Sequence, residues 1–399
     1  MSYVSARGQV ERGPGQSDER PKKRAKTDGG NAQPPPDAHA KPPDYLKSFF
    51  KRYQKYDKYE VARRLDLADC DVNSKTFTKH LVKPCAEDRP GGLEKAFSSF
   101  LGEAAIRDQN DGAEIHSEKP SVVYQLHNMP GLFIYPNLLP QDVQFTLLDK
   151  LLHRDLSNPE HKTNVHLHYD VPYPTSETGE PASFFDTSAT HLDYKRKATH
   201  SPINTQKLLD KKLRWITLGG QYDWTNKVYP AGMPPAFPAD VKTLVEDLFP
   251  MKAEAAIVNF YSPGETLSLH RDVSEECAQP LVSISLGCEA VFVVALDDAN
   301  PQPGNQRIAS IKLRSGDAVL MSGESRYAWH GVPKVIPGTC PEWLQDWPAV
   351  GSEENKERFK AHKGWMKGKR INLNVRQMFA DADAEVEATE EDGAAVGGA

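Results

Sequence analysis

The sequence predicts an α+β chain whose core is a β-sandwich or jelly roll flanked by N-terminal helices, with an unfolded tail at each end. Three observations lead there. Short apolar runs of strand length crowd the region after about Leu213, apolar residues at helical spacing occur before it, and both ends of the 399-residue chain are polar.

Residues 1–42 are rich in Gly, Pro, Gln, Asp and Lys, with a triple proline at Pro34 to Pro36, and hold too few apolar side chains to offset the entropy of ordering. They read as a disordered basic tail. Within them Pro21-Lys22-Lys23-Arg24-Ala25-Lys26 sets four cations in five positions, either a signal for a nuclear import receptor or a solvated charge run. Residues 43–130 are expected to be a helical extension. From Pro43 to about Leu67, the residues Tyr45, Leu46, Phe49, Phe50 and Tyr53 recur at helical spacing with Lys51, Arg52 and Lys55 between them.

The main domain is expected at 131–380. It opens on a short strand, Leu132-Phe133-Ile134-Tyr135-Pro136, and a helix from about Pro140 to Leu152 bearing Val143, Leu147, Leu148 and Leu151. Residues 154–206 are long, polar and dotted with prolines, which marks a surface insertion, and 332–368 reads as a second insertion. The strand-length runs are Ala255 to Tyr261, Leu281 to Leu286, Ala290 to Leu296, Ile308 to Leu313, Ala318 to Met321 and Ile371 to Val375. Turn residues such as Pro263-Gly264, Gly287 and Ser315-Gly316 separate them. Residues 381–399 form an acidic tail expected to be disordered.

The net charge of −6 is uninformative until it is located: Asp381 to Asp392 holds seven acidic residues and no basic one, so the rest of the chain is close to neutral. Any basic surface is therefore local. Five cysteines without a CxxC pair argue against a zinc ribbon and for a reducing compartment. No apolar run approaches the roughly 20 residues that span a bilayer, and the N-terminus lacks the apolar core of a secretion signal. The expectation is an intracellular, soluble protein, nuclear and/or cytoplasmic, with no membrane partner.

His-x-Asp occurs four times, at His153/Asp155, His168/Asp170, His191/Asp193 and His270/Asp272, so context must choose. The first ends a helix, where positions i and i+2 point about 200° apart. The second and third lie in the polar insertion. The fourth ends Leu267-Ser268-Leu269-His270-Arg271-Asp272, where alternation puts Leu267 and Leu269 on one face and His270 and Asp272 on the other. A second imidazole, His330, closes the strand-turn-strand stretch from Gly316. Two imidazoles and one carboxylate on one side of a metal match the non-haem Fe(II) oxygenases.

The segment Arg370-Ile371-Asn372-Leu373-Asn374-Val375-Arg376 has one apolar face and one face of two arginines and two amides. Such a strand calls for an anionic partner, because a buried unpaired charge is costly. A small dicarboxylate satisfies both guanidiniums, whose planar forks suit carboxylates. The two Cα atoms lie about 20 Å apart on an ideal strand, so the side chains must lean toward each other.

These residues resemble the AlkB family of nucleic-acid dealkylases. Asn259-Phe260-Tyr261-Ser262-Pro263-Gly264, His270-Arg271-Asp272, Gly323-Glu324-Ser325-Arg326 leading to His330, and Arg370 to Arg376 stand in the family's order. The blocks Leu213 to Trp224 and Val375-Arg376-Gln377-Met378 look most like the eukaryotic AlkB homologue 1 group.

The resemblance implies a double-stranded β-helix with Fe(II) on His270, Asp272 and His330, and 2-oxoglutarate held by Asn259, Tyr261, Arg370, Asn372 and Arg376. Arg370 and Tyr261 would take the distal carboxylate, and Arg376 would lie near the one beside the metal. Gln221, Tyr222, Trp224 and Arg326 would face the substrate, with O2 as co-substrate. The implied reaction removes N-methyl groups from bases of tRNA or DNA as formaldehyde, with succinate and CO2 as the other products. Two positions depart from the pattern: Asn374 stands where the family has Thr, and Ser274 where the bacterial enzyme has an acidic residue, so its base preference does not carry over. The lysine-rich run from Lys356 to Lys369 is either a phosphate-binding face or a solvated helix. Competing readings are an oxygenase of protein side chains and a non-catalytic nuclear adaptor.

Overall fold

Alternating or wholly apolar runs of four to seven residues bounded by turns form strands because that length spans a sheet and hides one or both faces. A computed structural model describes residues 36–37, 39–85, 90–102, 122–197, 199–223, 229–230, 233–297 and 306–380. In chain order its strands are β1 (Leu67–Ala68), β2 (Val82–Cys85), β3 (Val123–Leu126), β4 (Leu132–Tyr135), β5 (Tyr169–Asp170), β6 (Lys195–Arg196), β7 (Trp215–Gly219), β8 (Ala255–Tyr261), β9 (Leu267–His270), β10 (Leu281–Gly287), β11 (Ala290–Ala295), β12 (Ile308–Leu313), β13 (Ala318–Met321), β14 (Trp329–Val335) and β15 (Arg370–Arg376).

An eight-stranded sheet runs β2-β3-β4-β13-β10-β15-β8-β7, and a five-stranded sheet runs β1-β12-β11-β14-β9. From β8 to β15 the chain contributes β13-β10-β15-β8 to one sheet and β12-β11-β14-β9 to the other, with antiparallel pairing throughout. That interleaving is a jelly roll. The expected strands of this region are all present, with shifts of a residue or so at their ends.

Both faces of β8, β10 and β15 are buried. Ile371, Leu373 and Val375 join the main core, to which Ala96 and Phe100 of helix Leu93–Leu101, Val143 and Leu147 of helix Gln141–Asp149, and Val241 and Leu244 of helix Ala239–Leu248 also belong. Arg370, Asn372, Asn374 and Arg376 occupy the other face, turned into the roll and buried all the same. The five-stranded sheet is covered by helix Asp44–Lys55, whose Leu46, Phe50 and Tyr53 pack on Val291, Val293, Ala295 and Trp329. Gly287 turns β10 into β11 with φ +87°, and a Cβ there would lie 2.4 Å from the carbonyl oxygen of Lys369, beside the start of β15.

Several expectations are corrected. The single helix from Pro43 to about Leu67 is two: Tyr56 is extended, and Asp57 starts a new helix, Lys58–Ala62. Its carboxylate accepts from the amides of Tyr59 and Glu60 while Glu60 accepts from the Asp57 amide, a reciprocal cap that favours a fresh start over continuation. The 43–130 extension is not purely helical, since β1, β2 and β3 add to the two sheets. Nor is 154–206 a polar surface loop: Val165, Tyr169, Phe184, Phe185 and Tyr194 are buried. It packs against the 332–368 stretch, with Phe185 edge-on to Trp347, His362 and Trp365, and His153 stacked on Trp347 and Phe359. That stretch itself begins inside β14. The two tails, residues 1–35 and 381–399, lie outside the described residues, and with them the Lys22 to Lys26 cluster.

Candidate functional site

The edge pairing of β9 with β14 sets His270 directly opposite His330, with ring centroids 4.3 Å apart. Each ring is held by its own strand: Nδ1 lies 2.9 Å from the Ser268 carbonyl oxygen in His270 and 3.0 Å from that of Ala328 in His330. With Nδ1–H donated to a carbonyl, Nε2 carries the free lone pair. Asp272 completes the group, its carboxylate oxygens 3.9 Å from Nε2 of His270 and 3.7 Å from Nε2 of His330. Potential donor atoms of the three residues all lie within 4.8 Å of one another, the one such three-residue cluster of metal-ligating side chains among the described residues.

The surroundings favour the ligating forms of Asp272 and His330. Burial by itself would raise the Asp272 carboxyl, but Arg376, then His270 and His330, hold it well below the usual range. Burial, followed by the neighbouring His270, pushes His330 down to about 4. Of the other His-x-Asp pairs, His153 is stacked among aromatic rings and His168 lies against His200, 4.4 Å between centroids. The side chain of His191 lies outside the described residues.

On the facing sheet, β15 pairs with β8 so that Arg370 stands opposite Tyr261 and Asn372 opposite Asn259. Asn372 donates to Ser283 Oγ at 2.8 Å and to the Ile284 carbonyl at 3.1 Å. Arg370 donates one bond, Nη2 to Ser285 Oγ at 2.8 Å, while its Nε and Nη1, and the hydroxyl of Tyr261, are buried without a partner. Burial pushes the Arg370 guanidinium down to about 10, and it raises the Tyr261 phenol. Arg376 donates Nη2 to Asp272 Oδ2 at 2.8 Å and leaves Nε and Nη1 without a hydrogen-bond partner. Orphaned donors on a buried cation mark the place of an absent acceptor. An anion with a carboxylate at each end fits this donor set, just as a divalent metal fits the triad.

Residues 131–376 match the model of the 2OG-Fe(II) oxygenase superfamily. The chain belongs to that superfamily and to its AlkB family. Similar proteins include the N6-methyladenosine RNA demethylase ALKB1 of Pyricularia oryzae, 45% identical over 86% of this chain and 97% of that protein. The N6-methyladenosine RNA demethylase ALKBH of Cryphonectria parasitica is 53% identical over 54% of this chain and 99% of that one. The tRNA demethylase abh1 of Schizosaccharomyces pombe is 37% identical over 68% and 88%.

In this oxygenase the residues expected at the substrate part company. Tyr222 reaches the metal loop, its hydroxyl 3.3 Å from Ser274 Oγ, and its ring meets Tyr229 edge-on at 5.3 Å. Trp224 lies outside the described residues. Gln221 is tied inward, accepting from the Lys162 amide and Thr217 Oγ1 and donating to the Gly219 carbonyl. Arg326 departs from the expectation altogether. It is 2% exposed, and its nitrogens bond Gln279 O, Asp272 O and Glu275 rather than facing out toward a substrate. The lysine-rich run is largely neutralised, as Lys356, Arg358, Lys360 and Lys363 pair with Glu353, Asp186, Glu357 and Asp346, and Lys369 is buried.

Sequence reasoning missed Glu275, Ser285 and Tyr229. Ser285 was visible only as a polar residue in the apolar run of β10; Glu275 looked like any acid in a loop.

Proposed function

We propose that the chain is an Fe(II)- and 2-oxoglutarate-dependent demethylase of N-methylated bases in RNA or DNA. The observation that carries this is the pairing of two incomplete sites across the roll: a His270/Asp272/His330 triad suited to a divalent metal, and the orphaned donors of Arg370, Arg376 and Tyr261 suited to a dicarboxylate. The nucleic-acid half rests on the relatives named as RNA and tRNA demethylases.

His270, Asp272 and His330 would hold Fe(II). Arg370 and Tyr261, opposite each other on neighbouring strands, would take the distal carboxylate of 2-oxoglutarate, and Arg376 the end nearer the metal. Asn259 and Asn372, side by side between them, would line the middle. When bound, the metal with 2-oxoglutarate and O2 supplies the oxidation of an N-methyl to an N-hydroxymethyl group, which leaves as formaldehyde while 2-oxoglutarate yields succinate and CO2. The protein's own part is to hold both charges across the roll and, through the carbonyl contact at each Nδ1, to turn Nε2 of both histidines to the metal site. Tyr222 would stack on a base taken out of its helix, a role suited to an aromatic ring beside the metal loop. Gln221 and Arg326 would shape this wall from behind.

The test is succinate formation from 2-oxoglutarate with Fe(II), with and without methylated tRNA and methylated DNA, using Asp272→Ala as control. Turnover stimulated by one methylated nucleic acid and absent from the variant supports the assignment and identifies the substrate. Wild-type turnover stimulated by neither would remove the nucleic-acid reading.

We also infer a nuclear and/or cytoplasmic protein, with an import receptor as partner through Lys22 to Lys26. The basic cluster, and five cysteines of which none is in a disulfide, support this. Among the described residues no helix is long and apolar enough to cross a membrane. A fluorescent fusion with Lys22, Lys23, Arg24 and Lys26 changed to Ala tests it; an unchanged nuclear share would refute the signal.

A further inference from the structure

The three metal-site side chains are not held alike. His270 and His330 stand on paired strands, each ring fixed by a carbonyl of its own strand. Asp272 lies two residues beyond the end of β9, where no ladder of hydrogen bonds fixes the backbone. Two arginines do so instead. Arg326 Nη1 donates to the Asp272 carbonyl oxygen at 2.9 Å and its Nε to the Gln279 carbonyl at 2.6 Å, so one guanidinium spans the loop from 272 to 279. Arg376 Nη2 holds the Asp272 carboxylate at 2.8 Å.

One side chain joins these two clamps. The buried Glu275 accepts from Arg326 Nη2 at 3.0 Å through Oε2, and its Oε1 lies 3.1 Å from Nε of Arg376. We propose that Arg326 and Glu275 are positioning residues that orient Asp272 toward the metal and keep Arg376 turned to the anion site. The proposal rests on the iron and 2-oxoglutarate reading above.

The charge arrangement gives the reason. Two buried guanidiniums, Arg326 and Arg376, face the buried carboxylate of Glu275 and the part-buried one of Asp272. With Glu275 neutral, Arg376 would keep Asp272 as its ion-pair partner, and a carboxylate so engaged is a poorer donor to a metal. With Glu275 charged, Arg376 has an ion-pair partner beside Nε, gives Nη2 to Asp272 and leaves Nη1 without a hydrogen bond, available for an anion. Arg326 works on the backbone of the same residue, so the carboxylate is aimed from two sides.

A pair that merely packed would lose stability on substitution and leave metal binding untouched. Outer partners of metal ligands characteristically cost 10–100-fold in affinity when removed. Glu275→Gln in the full-length protein keeps the shape and removes the charge. Mn(II), which does not turn over, is the metal probe. Glu275→Gln is expected to weaken Mn(II) binding by about 10–100-fold, to weaken 2-oxoglutarate binding to the Mn(II)-loaded protein, and to alter the visible spectrum of the Co(II)-saturated protein. Arg326→Lys keeps charge but loses the fork; it is expected to shift the same three readouts, which covers the case in which Glu275→Gln does not fold. Mn(II) affinity within about twofold of wild type in a folded variant overturns the proposal. So does an affinity loss matched by a fall in thermal midpoint with an unchanged Co(II) spectrum. If the wild-type protein itself binds no Mn(II), the metal-site reading falls and this proposal with it; wild-type binding matched by both variants overturns the positioning role alone.

Discussion

Changing Arg370 to methionine separates what the buried guanidinium costs the ligand-free fold from what it gives the anion. The side chain is 1% exposed and spends one nitrogen on Ser285, leaving Nε and Nη1 without partners. Burial pushes it from its ordinary 12.5 down to about 10. At roughly 1.4 kcal/mol per pKa unit, that depression corresponds to about 3 kcal/mol against the charged form. Methionine has similar reach and no charge. It removes that penalty but loses a charge-assisted bond to Ser285 worth about 1.5–3 kcal/mol. The ligand-free variant should therefore be as stable as wild type or up to about 1.5 kcal/mol more stable, a rise of about 3 °C or less in a chain of this size.

Binding should move the other way. Two charge-assisted bonds to a carboxylate, at about 1.5–3 kcal/mol each, disappear, so 2-oxoglutarate should bind the Mn(II)-loaded variant about 10²–10⁴-fold more weakly. The assay pairs thermal unfolding without ligand with calorimetric titration of 2-oxoglutarate. A variant that melts well below wild type yet keeps its 2-oxoglutarate affinity would show Arg370 to be a structural cation and refute the reasoning.

Asp272→Ala should abolish metal binding while the two histidines and the jelly roll remain; Mn(II) affinity equal to wild type would sink the triad. His153 is half-buried among rings, and desolvation there, then Arg358, push it down to about 4 against the opposing pull of Asp186. Its folded value lies below the unfolded 6.5, so its contribution is complete above 6.5 and is lost, up to about 3 kcal/mol, as pH falls toward 4. Urea midpoints at pH 7 and 5 should thus fall less in His153→Phe than in wild type, and parallel falls would contradict this. Gly287→Ala should destabilise by about 1–3 kcal/mol, because its φ of +87° is strained for a side chain and the Cβ meets the Lys369 carbonyl. As β15 starts there, 2-oxoglutarate affinity should fall too; a melting point like wild type would show that the turn relaxes.

The strands of the roll were legible because period-two alternation is a local property: Ile371, Leu373 and Val375 announce their face without reference to the rest of the chain. The triad was legible for a related reason. His270 sits at a strand end and His330 at the start of another, and register puts them opposite each other. The alternation argument reached Asp272 only by extending β9 past its end; Asp272 does lie beside the two histidines, but loop contacts and not alternation bring it there.

The sequence by itself determined the strands of the roll, the arginine-bearing strand and the two imidazoles, since each follows from side-chain pattern over fewer than ten residues. Tertiary structure alone decided that Arg326 turns inward, that Glu275 joins it to Arg376, and that 154–206 and 332–368 bury a shared aromatic cluster. Those outcomes depend on groups about 50 to 180 residues apart whose charges and rings find partners only once the sheets have closed on each other.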